Sequence, residues 1–156
     1  MHGRLLKVVL GMVVASVALW GADPFLGTWK LNLEKSKYGA VPPAPKSSTV
    51  TCVAEKGGAF KCTGNGVDAQ GQPTHTEYTA RYDGTDYPIT GMPTVDAVSF
   101  KRIDSRTVEA TGKKAGQVIG TARTVISKNG RTRTATWSGK DEAGKPITWI
   151  TVSDKQ

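Results

Sequence analysis

The sequence predicts an all-β domain built from about ten antiparallel strands. Turn signals recur about every 12 residues from Ser47 onward, and two of them, Asp83-Gly84 and Asn129-Gly130, place glycine directly after aspartate or asparagine, the pairs that favour tight hairpin turns. Glycine accounts for 18 of the 156 residues, and no stretch repeats its apolar residues with a helical period. Regular short strands joined by tight turns are typical of an up-and-down barrel or a sandwich.

The first strand is predicted at residues 27–33, directly after an Asp-Pro pair that suits a short helical turn. Residues 40–45 contain three prolines, which fit neither a helix nor a central strand. We therefore expect an ordered loop there, lying across one mouth of a barrel. Nine further strands are predicted between the turn signals, at residues 47–55, 59–66, 73–83, 85–90, 95–103, 106–113, 117–127, 131–139 and 146–153.

The opening Gly27-x-Trp29, followed by a β-meander, resembles the first strand of the calycin barrels, which include the lipocalins and the fatty-acid-binding proteins. The segment also looks like that of small secreted lipocalin-like proteins of soil bacteria. The resemblance implies a barrel over residues 23–156, with Trp29 plugging its closed end. Fatty-acid-binding proteins carry a helix pair after the first strand, and this sequence has no room for one.

Residues 1–22 have the pattern of a secretory signal peptide. Arg4 and Lys7 precede an apolar run from Val8 to about Leu19, which is short for a bilayer span. Small residues predict cleavage between Ala18 and Ala22, and an uncleaved N-terminal anchor is the alternative. The predicted destination is the periplasm or the outside of the cell, with no stable membrane anchor after cleavage.

Cys52 and Cys62 are the two cysteines of the sequence. An exported protein with two cysteines is expected to pair them. If the intervening turn is centred on Gly57, the two residues fall opposite each other on paired strands, near bonding distance. Two unpaired buried thiols are the alternative.

The charge and the reactive residues exclude more functions than they indicate. The net charge of +8 is spread along the chain, so it explains solubility as well as it explains an anionic ligand. Aromatic residues make up 7% of the chain, and this low content together with export argues against nucleic-acid binding. His75 is the single histidine beyond the signal peptide, so we expect neither a metal site nor a cofactor, and a surface position is favoured over haem ligation. Since neither paired carboxylates nor a nucleophile elbow is present, we do not expect an enzyme. We expect the protein to be a monomer.

Arginine on the late strands supplies the candidate ligand site. Fatty-acid-binding proteins hold a carboxylate with buried arginine and tyrosine, and the guanidinium fork suits this contact. The corresponding residues here are Arg123, Arg131 and Arg133, with Tyr78 and Tyr82 as partners. An exposed basic strand face is the alternative, and in lipocalins an arginine packs instead on the Gly-x-Trp tryptophan.

The predicted function is the binding of a small, largely apolar molecule inside the barrel, with or without a carboxylate. The alternative is a structural or interaction module of the cell envelope whose core is filled. The volume of the interior distinguishes the two, because a ligand site needs ~300 Å³ or more.

Overall fold

The computed structural model describes residues 21–156, so the predicted signal peptide lies almost entirely outside the described residues. Ten antiparallel strands form a closed barrel in which each strand pairs with its sequence neighbours and the last strand pairs with the first. Closure leaves no free sheet edge. The predicted all-β antiparallel barrel is confirmed. The strands are β1 (Gly27–Leu31), β2 (Ser47–Ala54), β3 (Phe60–Val67), β4 (Pro73–Ala80), β5 (Tyr87–Thr90), β6 (Ala97–Asp104), β7 (Thr107–Lys114), β8 (Gln117–Ile126), β9 (Thr132–Lys140) and β10 (Pro146–Lys155).

Tight turns set the strand boundaries as the sequence predicts. Asp68 and Asp141 open two turns of the same pattern, Asp-x-x-Gly followed by a polar residue and proline. Each aspartate accepts a hydrogen bond of 2.8 Å from a backbone N–H four residues later, which stabilises the turn. Between residues 21 and 156 no helix is long and apolar enough to span a membrane.

The fourth and fifth strands are shorter than predicted, because a wide turn replaces their ends. Strand β4 ends at Ala80 and β5 starts at Tyr87. The Asp83 carboxylate accepts hydrogen bonds from the Tyr87 hydroxyl at 2.6 Å and from the Thr85 backbone at 3.0 Å. These contacts close the turn over residues 81–86, which keeps only an isolated bridge to β6, between Asp83 and Lys101.

Trp29 plugs one end of the barrel. Its side chain is fully buried and packs with Phe25, Val108 and Ile126. The indole N–H donates to the Phe25 carbonyl at 3.0 Å, so its polar atom is satisfied. Gly27 has φ +112, and a Cβ at this position would lie 2.8 Å from the Lys155 side chain. The Gly-x-Trp pattern therefore serves both a glycine-specific backbone turn and the core.

A disulfide joins Cys52 and Cys62 across β2 and β3, as the sequence predicts. The two residues are directly opposite in the register, with their Cα atoms 4.1 Å apart. Both are buried and pack with Phe60 and Ala80 on the inner face of the barrel.

Candidate functional site

A cavity of about 650 Å³ occupies the barrel between the plug and the opposite mouth. Its volume lies well within the range of small-molecule sites. Inward-facing side chains from all ten strands contribute to its wall, and most of them are apolar. The interior is therefore not a filled core, and this favours the binding hypothesis over the envelope module.

The long connection between β1 and β2 borders the mouth of this cavity. Tyr38, Val41 and Pro42 line the cavity from this connection, and Met92 lines it from the turn between β5 and β6. Val41 and Met92 are both exposed. The connection stays attached to the barrel through paired backbone bonds between Lys37 and Ile150.

Arg133 lies at the floor of the cavity, directly above the plug. It is on β9, opposite Ser153 of β10 and Ile126 of β8, and its guanidinium carbon is 5.3 Å from the centre of the Trp29 ring. The side chain is partly buried and lines the cavity. Within residues 21–156 it forms neither an ion pair nor a side-chain hydrogen bond. Among the described residues, every fully buried side-chain nitrogen has a hydrogen-bond partner. Because the Arg133 guanidinium has none, its nitrogens are not fully buried, and they face the open cavity.

Arg102 shows how the same side chain behaves when its charge is matched. It covers the closed end from outside the cavity, with its guanidinium carbon 4.0 Å from the centre of the Tyr82 ring. Its charge is neutralised by Asp23, whose carboxylate lies 2.7 Å from the Arg102 Nη2. Sequence analysis did not single out Arg102, because neither a motif nor its spacing marks it.

Tyr78 and Tyr82 both line the cavity, near its floor. Burial raises the pKa of the Tyr78 hydroxyl, and the charge of Arg133 acts in the opposite direction. Burial also lowers the pKa of Arg133, opposed by Tyr78. For Tyr82, burial and then the nearby Asp23 carboxylate raise the pKa. Both tyrosines are therefore neutral hydrogen-bonding groups at physiological pH, and Tyr78 is electrostatically coupled to Arg133.

The placement of Arg123 and Arg131 corrects the sequence prediction. Arg123 points outward from β8 and forms an ion pair of 2.7 Å with Glu109, with about half of each side chain exposed. Arg131 is exposed, because it belongs to the turn that precedes β9, whose first residue is Thr132. Alternation along the strand placed Arg131 beside Arg133, but alternation ends where the strand ends.

Two tryptophans that sequence analysis did not include in the site line the upper half of the cavity. Trp137 and Trp149 pair across β9 and β10, and their rings are parallel within 2° with centres 5.8 Å apart. The Trp137 ring N–H donates to the Thr151 hydroxyl at 3.1 Å. The position of the Asp141–Lys145 turn predicts this pair. Lys140 faces Pro146 across the turn, so the residues three positions further along each strand, Trp137 and Trp149, also face each other.

His75 lies on the outer surface, as expected. It is exposed, and its Nδ1 is 2.7 Å from the Asn65 side-chain oxygen. In the described part of the chain, no three His, Cys, Asp or Glu side chains converge as a metal site would require.

The barrel is similar in fold to the fluorescent protein UnaG. The crystal structure of wild-type UnaG matches with a TM-score of 0.59 at 14% identity, covering 86% of this chain and 98% of UnaG. Two single-residue variants of UnaG match at TM-scores of 0.59 and 0.57, each at 14% identity, covering 86% and 85% of this chain and 97% and 96% of theirs. No family model and no curated protein matches the sequence. The similarity to UnaG confirms the calycin-like fold.

Proposed function

We propose that this protein binds a small, elongated, largely apolar molecule inside the barrel and holds its carboxylate at Arg133. The observation that carries this proposal is the position of Arg133 at the cavity floor, without an anionic partner among residues 21–156. A cation facing a largely apolar cavity is costly unless it is paired or solvated. A ligand carboxylate supplies the missing charge, with a bidentate contact that suits the guanidinium fork.

The contrast with the other arginines supports this assignment. Arg102 and Arg123 each have a carboxylate at 2.7 Å, whereas Arg133 faces a phenol, an indole and empty space. Tyr78 lines the same cavity and is close enough to Arg133 for the arginine charge to act on its pKa, and burial keeps its hydroxyl protonated as a donor for the carboxylate.

The rest of the wall fits an apolar ligand body. Above the floor the cavity is lined mainly by aliphatic and aromatic side chains, such as Val50, Ile89, Val98 and Ile147. Burial of such a body supplies most of the affinity, and the arginine supplies the orientation.

We further propose that binding takes place without chemistry, in an exported protein. The disulfide supports an oxidising compartment, where such bonds persist. The apolar run behind Arg4 and Lys7 supports export.

A two-by-two comparison tests the proposal, using hexadecanoic acid and its methyl ester with the wild type and Arg133→Met. Affinities are measured by displacement of a fluorescent fatty acid. Wild type should prefer the acid by about tenfold or more, because a hydrogen bond to a charged group contributes ~1.5–3 kcal/mol. Arg133→Met should bind acid and ester equally.

The matched control is Arg123→Met, which removes an outward-facing guanidinium and should keep the preference for the acid. If wild type binds neither compound at micromolar concentration, the proposal fails. Equal affinity of wild type for acid and ester would remove Arg133 from the site.

A further inference from the structure

We infer that the ligand carries a hydroxyl group close to its carboxylate, as a 2- or 3-hydroxy carboxylic acid does, and that Thr124 and Thr151 bind this hydroxyl. This inference rests on the proposed function, since it concerns the part of the molecule next to the carboxylate that Arg133 would hold. Its basis is a group of inward-facing hydroxyls near the cavity floor whose hydrogen-bonding capacity the described chain leaves partly unused.

These hydroxyls lie in two rows of residues on adjacent strands. In the lower row, Arg133 of β9 faces Ser153 of β10. The upper row is two residues nearer the mouth, about 7 Å along the strands, and consists of Thr124 on β8, Ala135 on β9 and Thr151 on β10. All five residues line the cavity.

The two threonines of the upper row present surface to the cavity. Both are partly exposed. Because an inward-facing side chain of a closed barrel reaches solvent only through the interior, their exposed area is cavity wall. Ala135 between them is buried, so a ligand contacts this row through the flanking threonines.

The hydroxyl groups near the floor have hydrogens to donate. The Trp137 ring N–H donates to the Thr151 oxygen at 3.1 Å, so the hydrogen of that hydroxyl is still available. The hydroxyls of Thr124 and Ser153 form no side-chain hydrogen bond within residues 21–156. Ser153 is only 6% exposed, but every fully buried side-chain oxygen of the described chain has a partner. The Ser153 oxygen therefore also reaches the cavity.

The number of donors exceeds what a carboxylate can use. A carboxylate accepts about four hydrogen bonds. Two N–H groups of Arg133 and the hydroxyls of Tyr78 and Ser153 together match that number. The hydroxyls of Thr124 and Thr151 lie one row higher and are left over.

A ligand hydroxyl beside the carboxylate supplies the partner for the leftover pair. A hydroxyl both donates and accepts, so one such group can bond to both Thr124 and Thr151. A plain hydrocarbon chain at this level would cover the two polar groups without replacing their hydrogen bonds to water, which is unfavourable.

Four acids of equal chain length test the inference: hexadecanoic acid, its 2-hydroxy and 3-hydroxy derivatives as separate enantiomers, and the isomeric 16-hydroxyhexadecanoic acid. Affinities are measured by displacement of a fluorescent fatty acid. At least one acid with a hydroxyl near the carboxylate should bind wild type about fivefold more tightly than hexadecanoic acid does. The 16-hydroxy isomer should bind no more tightly than hexadecanoic acid.

Variants of the upper row assign the preference to its hydroxyls. Thr124→Val keeps the shape of the side chain and should abolish the preference, while the affinity for hexadecanoic acid changes less than about twofold. Thr124→Ser keeps the hydroxyl and should keep the preference. Thr151→Val should also abolish it, whatever its effect on the absolute affinities. The control Thr136→Val, on the outward face of β9, should change neither affinity.

The outcomes separate this inference from the proposed function. If hexadecanoic acid binds with dependence on Arg133, but neither the 2-hydroxy nor the 3-hydroxy acid binds more tightly, only the inference is overturned. The same holds if the preference survives in Thr124→Val and Thr151→Val. Tighter binding of hexadecyl phosphate than of the hydroxy acids would overturn it as well, because the additional donors would then serve the oxyanion itself. If none of the acids binds, the proposed function fails and the inference fails with it.

Discussion

The two ends of the barrel interior are built for different purposes. At the closed end, Trp29 and Ile126 are fully buried and pack with Phe25 and Val108. Toward the mouth, Trp137 and Trp149 have the same side chain as Trp29 but remain partly exposed, because they border a cavity. Similar residue types thus stabilise the fold at one end and leave space at the other. The difference arises from their neighbours, since alanines and glycines surround the upper pair.

The electrostatics of the two ends differ in the same way. Arg102 is outside the closed end, paired with Asp23 and stacked over Tyr82. Arg133 is inside, at the boundary between the plug and the cavity, where burial lowers its pKa. One arginine is paired with a carboxylate, and the other has no ion-pair partner among the described residues.

The largest effect should come from removing the plug. Trp29→Ala should lower the free energy of unfolding by ~3–5 kcal/mol, the usual cost of truncating a large buried aromatic side chain. Trp149→Ala should cost less than half as much, because one side of this ring already faces open space. Denaturant unfolding of the two variants measures both values, with Thr136→Ala on the outer face as the control. Equal losses at the two tryptophans would contradict the distinction between the ends.

The disulfide lies in the wall between the two ends, and its loss should have an intermediate effect. Reduction should lower the free energy of unfolding by ~2–3 kcal/mol, as expected from the loop-entropy model for cysteines separated by 10 residues. The Cys52→Ala/Cys62→Ala double variant should unfold at the same denaturant concentration with and without reductant. An unchanged midpoint of the wild type in reductant would show that the ladder between β2 and β3 needs no covalent bond.

The fold was largely predictable because glycine-containing turns fix where strands begin and end. The alignment of Cys52 with Cys62 followed from a turn centred on Gly57. The shortened β5 was not predictable, since its cause is the Asp83 side chain bonding across its own turn.

The site was predictable only in part, because alternation shows which residues share a face but not which face is inside. The late strands carry mixed residues on both faces, so barrel closure decides the direction in which Arg133 points. Arg123 lies on the opposite face of its strand, and Arg131 lies outside the strand, so neither lines the cavity.

The smallest expected effect is the most diagnostic of the difference between the two ends, because it has the opposite sign. Arg133→Met should raise the free energy of unfolding of the ligand-free protein by about 1 kcal/mol, since it removes a partly desolvated charge and keeps an unbranched apolar stem. Arg102→Met should lower it, because that substitution leaves the partly buried Asp23 carboxylate without its partner. Thermal unfolding of both variants, without ligand and with saturating hexadecanoic acid, measures the two effects. The acid should raise the melting temperature of wild type and of Arg102→Met, and it should raise that of Arg133→Met far less. A loss of ligand-free stability in Arg133→Met would show that its contact with Trp29 outweighs the cost of burying the charge, and Arg133 would then belong to the plug.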